Sequence, residues 1–386
     1  MLHLHSIGLA TSCVLLAAST CIAQETKQAP AAQPPAEKVA APKVESAKVE
    51  SPKVDEARVM AFLRSLPTKR SGTGDAAHLQ GLRDTEALIE RSLKEAGYEP
   101  RMWPFVWKKG QHPLDPPPDE STMSDEEKKA NTWHNIIAEV PGTTKPNEII
   151  IIGAHFDAVT NSPGADDNGS GTAAVMEYAR LFKDAQFDRT VRFVFFNLEE
   201  PGLIGSRKYA AAAKRAMNTT DKKVVAMVSI EMMGYYCDEP GCQKSPLPSI
   251  PGVFEAPNVG DFLGIATTKS HNWLGERIER AWLKAEPQFK LIRPDFIPDL
   301  PATPPDLLRS DHAPFLLVGI PAVIIADTAN FRSPHYHQPT DTVETIDEKR
   351  YLAAVRGLAA AVPELAKADK PKKVKPSKPA EKVEQK

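Results

Sequence analysis

Apolar and polar positions follow two rhythms along the middle of the chain. Residues 55–66 and 76–96 place apolar side chains at helical spacing, and two extended stretches follow near 102–107 and 133–140. Beyond them come short, nearly continuous apolar runs of the kind that fill strands covered on both faces: 148–153, 191–196, 224–230, 262–266 and 322–326. Helical periodicity separates these runs over 171–183, 205–216, 273–285 and 348–365. Strand and helix in alternation predict an α/β chain, a three-layer α/β/α sandwich with a mostly parallel central sheet. Segments 108–131 and 237–258 are polar and proline-rich and read as surface insertions.

The rhythm stops at both ends. Residues 24–54 repeat Lys-Val-Glu-Ser-like units with Pro and Ala and lack the bulky side chains needed to offset ordering entropy, so they read as a disordered linker. Residues 367–386 form a Lys/Pro tail of similar character, which leaves 55–366 as the folded domain. Composition, 41% apolar and 25% charged, excludes a multi-span membrane protein. The N-terminal stretch carries 5 Lys against 4 Glu and the tail 8 Lys against 3 acids, so the formal total of −2 leaves the domain near −8. An acidic domain argues against nucleic acid as partner.

Ile7 to Ala23 is an apolar run of signal-peptide length, with Cys21-Ile22-Ala23 approximating a small-x-small cleavage site. Residues 1–23 are therefore expected to direct export to the periplasm or medium, with no stable membrane span after cleavage. A lipoprotein anchor at Cys21 is the alternative, disfavoured by the absence of Leu in Ala18-Ser19-Thr20. After cleavage only Cys237 and Cys242 remain, bracketing a Pro-Gly turn, and a local disulfide is expected in an oxidising compartment.

In open α/β sheets, chemistry gathers beyond the C-terminal ends of the strands. Here those positions hold His155-Phe156-Asp157, the loop Gly164-Ala-Asp-Asp-Asn-Gly-Ser-Gly171, Glu199-Glu200, Glu231, His335-Tyr336-His337 and Asp341. Singly, each reads as a surface histidine, a solvated glutamate pair or a turn. Together they supply hard oxygen and borderline nitrogen donors suited to zinc. So many carboxylates side by side repel one another, and a cation is their natural partner.

The motifs GAHFDAV, GADDNGSG, NLEEPGLIGS, SIEMMGYY, SDHAPF and YHQPTDT, in that order over about 130–365, resemble the zinc exopeptidases. That family includes secreted bacterial leucyl aminopeptidases, aminopeptidase Y, glutamate carboxypeptidase and the glutaminyl cyclases. The resemblance implies a phosphorylase/hydrolase-like α/β/α fold and two Zn2+ ions, with His155 and Glu231 on one, Glu200 and His337 on the other, and Asp167 shared. It also implies Glu199 as general base, Asp157 as the carboxylate orienting His155, and a cis peptide between Asp167 and Asn168. Glu231 stands where many members have Asp. The spacing His-x-x-x-Asp-Thr selects His337 over His335, and Asp311-His312 are left as supporting or structural residues.

The implied reaction is aminopeptidase hydrolysis of peptide or protein N-termini. A carboxypeptidase is an alternative, for which Arg309 or Arg332 would clamp a terminal carboxylate. A glutaminyl cyclase uses one zinc and needs no second set of ligands. A non-catalytic scaffold of the same fold would have lost ligands, and none is plainly lost here. Side-chain specificity and oligomeric state have no motif. A serine hydrolase is disfavoured by the lack of a G-x-S-x-G elbow at a strand end.

Overall fold

The Asp55 side chain accepts a hydrogen bond from the Arg58 amide and starts helix α1 (Glu56–Ser65); Asp75 does the same for His78 at the head of α2 (Ala76–Glu95). These elements come from a computed structural model that describes residues 53–116 and 118–368. The expected signal segment 1–23, the expected linker up to residue 52 and the tail from 369 onward lie outside the described residues.

Strand β1 (Arg101–Val106) is followed by the first insertion, which contains α3 (Asp125–Asn131) closed by a reciprocal Ser124–Glu127 cap. The chain then runs through β2 (Thr132–Val140), β3 (Lys145–His155), α4 (Gly171–Leu181), β4 (Arg189–Phe196), α5 (Ile204–Thr219) and β5 (Lys223–Glu231). It ends with β6 (Leu263–Ala266), α6 (Asn272–Ala285), β7 (Leu291–Ile292), α7 (His312–Leu317), β8 (Ala322–Ala326) and α8 (Glu348–Ala366). The sequence gives no periodicity for α7 or β7 because six and two residues are too few to show one.

The eight strands form one sheet in the order β1-β2-β4-β3-β5-β8-β6-β7. Its middle, β4-β3-β5-β8, is parallel, while β1 and β2 add antiparallel at one side and β6 runs antiparallel to β8 at the other. Alternation within β3 explains its unbroken isoleucine run. Ile150 and Ile152 join the layer of α1, α2, α4, α6 and α8, whereas Ile149 and Ile151 join the layer of α5 and α7. Burying each such side chain contributes about 1.5–3 kcal/mol, so neither face tolerates a polar residue.

α4 and α5 cover opposite faces, so the chain leaves β3 and β4 in opposite directions, creating a switch point at their C-terminal ends. α1 is tied to α4 by Arg58, whose Nε and Nη2 each donate at 2.8 Å to the buried Glu177 carboxylate. Cys237 and Cys242 form the expected disulfide. Among the described residues, no helix is long and apolar enough to cross a membrane.

Candidate metal centre

Three of the four parallel strands lead directly into the acidic and imidazole side chains singled out from the sequence. β3 ends at His155, β4 continues through Asn197 and Leu198 to Glu199-Glu200, β5 ends at Glu231, and His337 comes from the segment after β8. Asp167 arrives on an irregular helical turn over 165–170. Gly164 opens that turn at φ 66°, and a Cβ there would sit 2.4 Å from the Asp167 carbonyl oxygen, which only glycine avoids. The Asp167–Asn168 peptide is cis. Leu198, Met232 and His337 take left-handed φ of 57°, 44° and 57°. Each costs about 1–3 kcal/mol and persists only where neighbours enforce it, so this rim of the sheet is built for position rather than stability.

Five side chains converge. Asp167 turns its two carboxylate oxygens to two different imidazoles: Oδ1 lies 3.4 Å from His155 Nε2 and Oδ2 lies 3.0 Å from His337 Nε2. Glu231 Oε1 is 3.3 Å from His155 Nε2, and Glu200 Oε2 is 3.4 Å from His337 Nε2. Glu199 Oε2 stands 4.0 Å from His155 Nε2, on the Glu231 side. Two overlapping donor sets, His155-Glu199-Glu231 and His155-Asp167-Glu200, each have ligand atoms within 4.8 Å of one another. His155 is 1% exposed, Glu199 8% and Glu231 9%, while His337 is half-buried.

Asp157 lies beside His155 and faces it with both its backbone carbonyl and its carboxylate. Its backbone carbonyl, 3.1 Å from His155 Nδ1, is the nearer group, and its carboxylate is at 3.5 Å. A carbonyl only accepts, so Nδ1 is the donor of this contact and Nε2 is the nitrogen that faces the carboxylates. The Asp157 carboxylate also accepts the amides of Glu199 and Glu200, at 3.0 and 3.2 Å, and so ties the β4 loop to the β3 loop.

Charge crowding shows in the proton affinities. Burial, reinforced by neighbouring carboxylates, pushes Glu199 well above the ordinary carboxylate range and Glu200 to about 7. Burial alone would lower His337, but Asp167 and Glu200 raise it to about 10, and Glu231 and Glu199 likewise hold His155 well above its usual value. Asp167, between two imidazoles, is drawn down despite its burial. The cluster thus demands positive charge. Two donors sharing a tetrahedral zinc with bonds near 2.0–2.2 Å sit about 3.3–3.5 Å apart, the separation of three of the four pairs around Asp167. Glu200 Oε1 is buried with no hydrogen-bond partner, a donor left for a cation. The residues fit zinc.

Supporting residues surround the five. Asp341 accepts the amides of Asp166 and Asp167 at 2.8 and 3.1 Å, and Asn168 donates to the Ile230 carbonyl while accepting from the Met232 amide. Ser310 Oγ donates to Glu231 Oε2 at 2.7 Å. Tyr336 stacks on His337 with ring centroids 3.8 Å apart, and Arg309 donates to its hydroxyl at 2.9 Å. Asp311 is buried and its carboxyl rises to about 7 for that reason, while His312 Nε2 contacts the Leu307 carbonyl. His335 pairs with Thr340 rather than with Asp167. Arg332 is buried and donates from Nε to Gln243 and from Nη1 to the Tyr235 carbonyl, while its Nη2 has no hydrogen-bond partner among the described residues. Sequence reasoning missed Arg70, Asn168, Ser310 and Tyr336 as supports. Asn168, Ser310 and Tyr336 lay inside motifs already noted, whereas Arg70 had no local signal.

Comparison with known proteins gives the arrangement its place. The profile of peptidase family M28 matches residues 135–362. YfbL of Escherichia coli, itself uncharacterized, is 31% identical over 236 residues, covering 58% of this chain and 69% of YfbL. Aminopeptidase YwaD of Bacillus subtilis is 30% identical over 255 residues, covering 63% of this chain and 47% of YwaD, so the chain spans about half that relative's length. In fold, the zinc aminopeptidase BSAP of Bacillus subtilis superposes with a TM-score of 0.59 at 18% identity, covering 84% of this chain and 98% of that one. The glutaminyl cyclase of Fimbriiglobus ruber gives 0.56 at 18%, covering 81% and 95%. With the profile spanning more than half its length, the chain belongs to peptidase family M28.

Proposed function

We propose that the chain is an exported aminopeptidase that hydrolyses N-terminal peptide bonds at a centre of two zinc ions. The observation that carries this reading is the Asp167 carboxylate, one oxygen toward His155 and the other toward His337. A bridging ligand is needed only where two ions sit together. His155 and Glu231 would hold one ion, Glu200 and His337 the other, with Asp167 common to both. Export is supported by the apolar run before Ala23 and by the Cys237–Cys242 disulfide, a bond that persists in oxidising compartments.

Bound there, zinc supplies Lewis-acid polarisation of the scissile carbonyl and acidifies water. The chain's own residues do the rest. Glu199, buried and crowded by carboxylates, has the raised proton affinity of a general base; it takes the proton of the attacking water at a side-chain oxygen. As the carbon–nitrogen bond breaks, the same oxygen returns that proton to the leaving amine. The protonated Nδ1 of His155, held by the Asp157 carbonyl, keeps the imidazole in one orientation throughout. Tyr336, stacked on His337, limits the freedom of the half-buried imidazole.

The test is metal content by elemental analysis together with hydrolysis of aminoacyl anilides, amino-blocked peptides and a cyclisable glutaminyl peptide, each with and without chelator. Two zinc ions per chain and chelator-sensitive release from unblocked anilides are expected. Turnover of blocked peptides alone would favour a carboxypeptidase, and cyclisation with one zinc a glutaminyl cyclase.

A further inference from the structure

Residues 53–134 lie outside the region matched by the family profile, yet one of their side chains reaches the base of the centre. Arg70 follows α1 and is 1% exposed. Its Nε donates to the Phe156 carbonyl at 2.7 Å, Nη1 to those of Pro67 and Pro163 at 3.0 and 2.5 Å, and Nη2 to that of Gly164 at 2.5 Å. Its own carbonyl accepts the Ala158 amide at 2.9 Å. Among the described residues no carboxylate lies within ion-pair distance of it, so all the recorded bonds of this buried guanidinium go to backbone oxygens. Phe156 is the residue after His155, and Gly164 opens the turn that delivers Asp167.

We propose that Arg70 is a positioning residue for the metal centre: by gathering the carbonyls of Phe156, Pro163 and Gly164 it fixes the spacing between His155 and Asp167. The inference rests on the metal-centre reading above. Two effects of the side chain have opposite signs. As a clamp it holds donors in place and strengthens cation binding. As a fixed positive charge near the same carboxylates it opposes a second cation. Four directed side-chain bonds, three of them to the carbonyls of Phe156, Pro163 and Gly164, make the clamp the larger effect.

Zinc affinity of the full chain, measured by competition with a chromophoric chelator at neutral pH, separates the two. Arg70→Met removes clamp and charge, whereas Arg70→Lys keeps the charge on a single ammonium that cannot span the four carbonyls. Both are expected to weaken zinc binding by roughly 10–100-fold. Arg58→Met, which breaks the Glu177 pair in the same N-terminal segment, serves as control: it should lower the melting temperature and leave zinc affinity unchanged. Unaltered or tighter binding in Arg70→Met overturns the inference, as does an equal loss in Arg58→Met. If Arg70→Met fails to fold, Arg70→Lys decides by the same criterion of wild-type affinity. A wild-type chain that binds no zinc overturns the metal-centre reading and this inference with it, an outcome distinct from tight wild-type binding that the Arg70 variants share.

Discussion

Ser310 Oγ donates to Glu231 Oε2 at 2.7 Å, which leaves Oε1 as the oxygen facing His155 Nε2. Ser229 Oγ stands 3.3 Å behind Ser310 Oγ and continues the chain of hydroxyls. A glutamate has one more rotatable bond than the aspartate common at this position, and the serine removes that freedom. Ser310→Ala is expected to weaken zinc binding about tenfold, with Ser310→Thr retaining most of it. Isothermal titration of the metal-free variants measures this directly, and equal affinities for wild type and Ser310→Ala would remove the serine from the account.

Glu199 and Asp167 are expected to fail in different ways. Glu199→Ala should keep both zinc ions and lose about 10²–10⁴-fold in turnover, because only the proton carrier is gone. Asp167→Ala should lose metal, because both imidazoles lose their shared partner. Elemental analysis beside anilide hydrolysis separates the two, and parallel metal loss in both variants contradicts the division.

Removing metal should also destabilise the fold. Cations that bind only the folded chain stabilise it by about 2.7 kcal/mol at one hundred times the dissociation constant, enough to move a melting temperature by several degrees. Scanning calorimetry with chelator and with added zinc reads the difference. Coincident transitions would mean that no cation relieves the crowding among Glu199, Glu200 and Glu231.

His312 carries a separate pH dependence. Burial holds its pKa at about 4, against 6.5 for an exposed imidazole. Between those values the unfolded chain binds a proton that the folded chain refuses, so stability falls as pH drops from 6.5 toward 4, by about 3 kcal/mol in all. His312→Gln, which can still donate to the Leu307 carbonyl, should flatten that limb of a denaturation-versus-pH profile. An unchanged acid limb would assign the loss to other groups.

Much of this was legible before any coordinates. The isoleucine run 148–153 announces a strand buried on both faces, and position at strand ends groups His155, Glu199, Glu200 and Glu231 as candidates, whose separate roles only the family resemblance implies. What stayed hidden depends on three-dimensional proximity. Arg70 precedes His155, the first proposed ligand, by 85 positions, and nothing in Thr68-Lys69-Arg70-Ser71 marks its side chain for burial. The resemblance places Asp157 beside His155, but the two amides its carboxylate also accepts cannot be assigned from sequence. The antiparallel direction of β6 was equally invisible, since an apolar run of four residues carries no polarity.

The Arg58–Glu177 pair sets where this protein can be cut. A fragment trimmed to residues 135–362, the span matched by the family profile, would strand a carboxylate inside α4 without its counter-ion and would also delete Glu86, whose Oε1 receives Asn197 Nδ2 just ahead of Glu199-Glu200. The smallest piece able to stand alone therefore starts no later than Asp55, a limit that stepwise N-terminal deletion with limited proteolysis would locate.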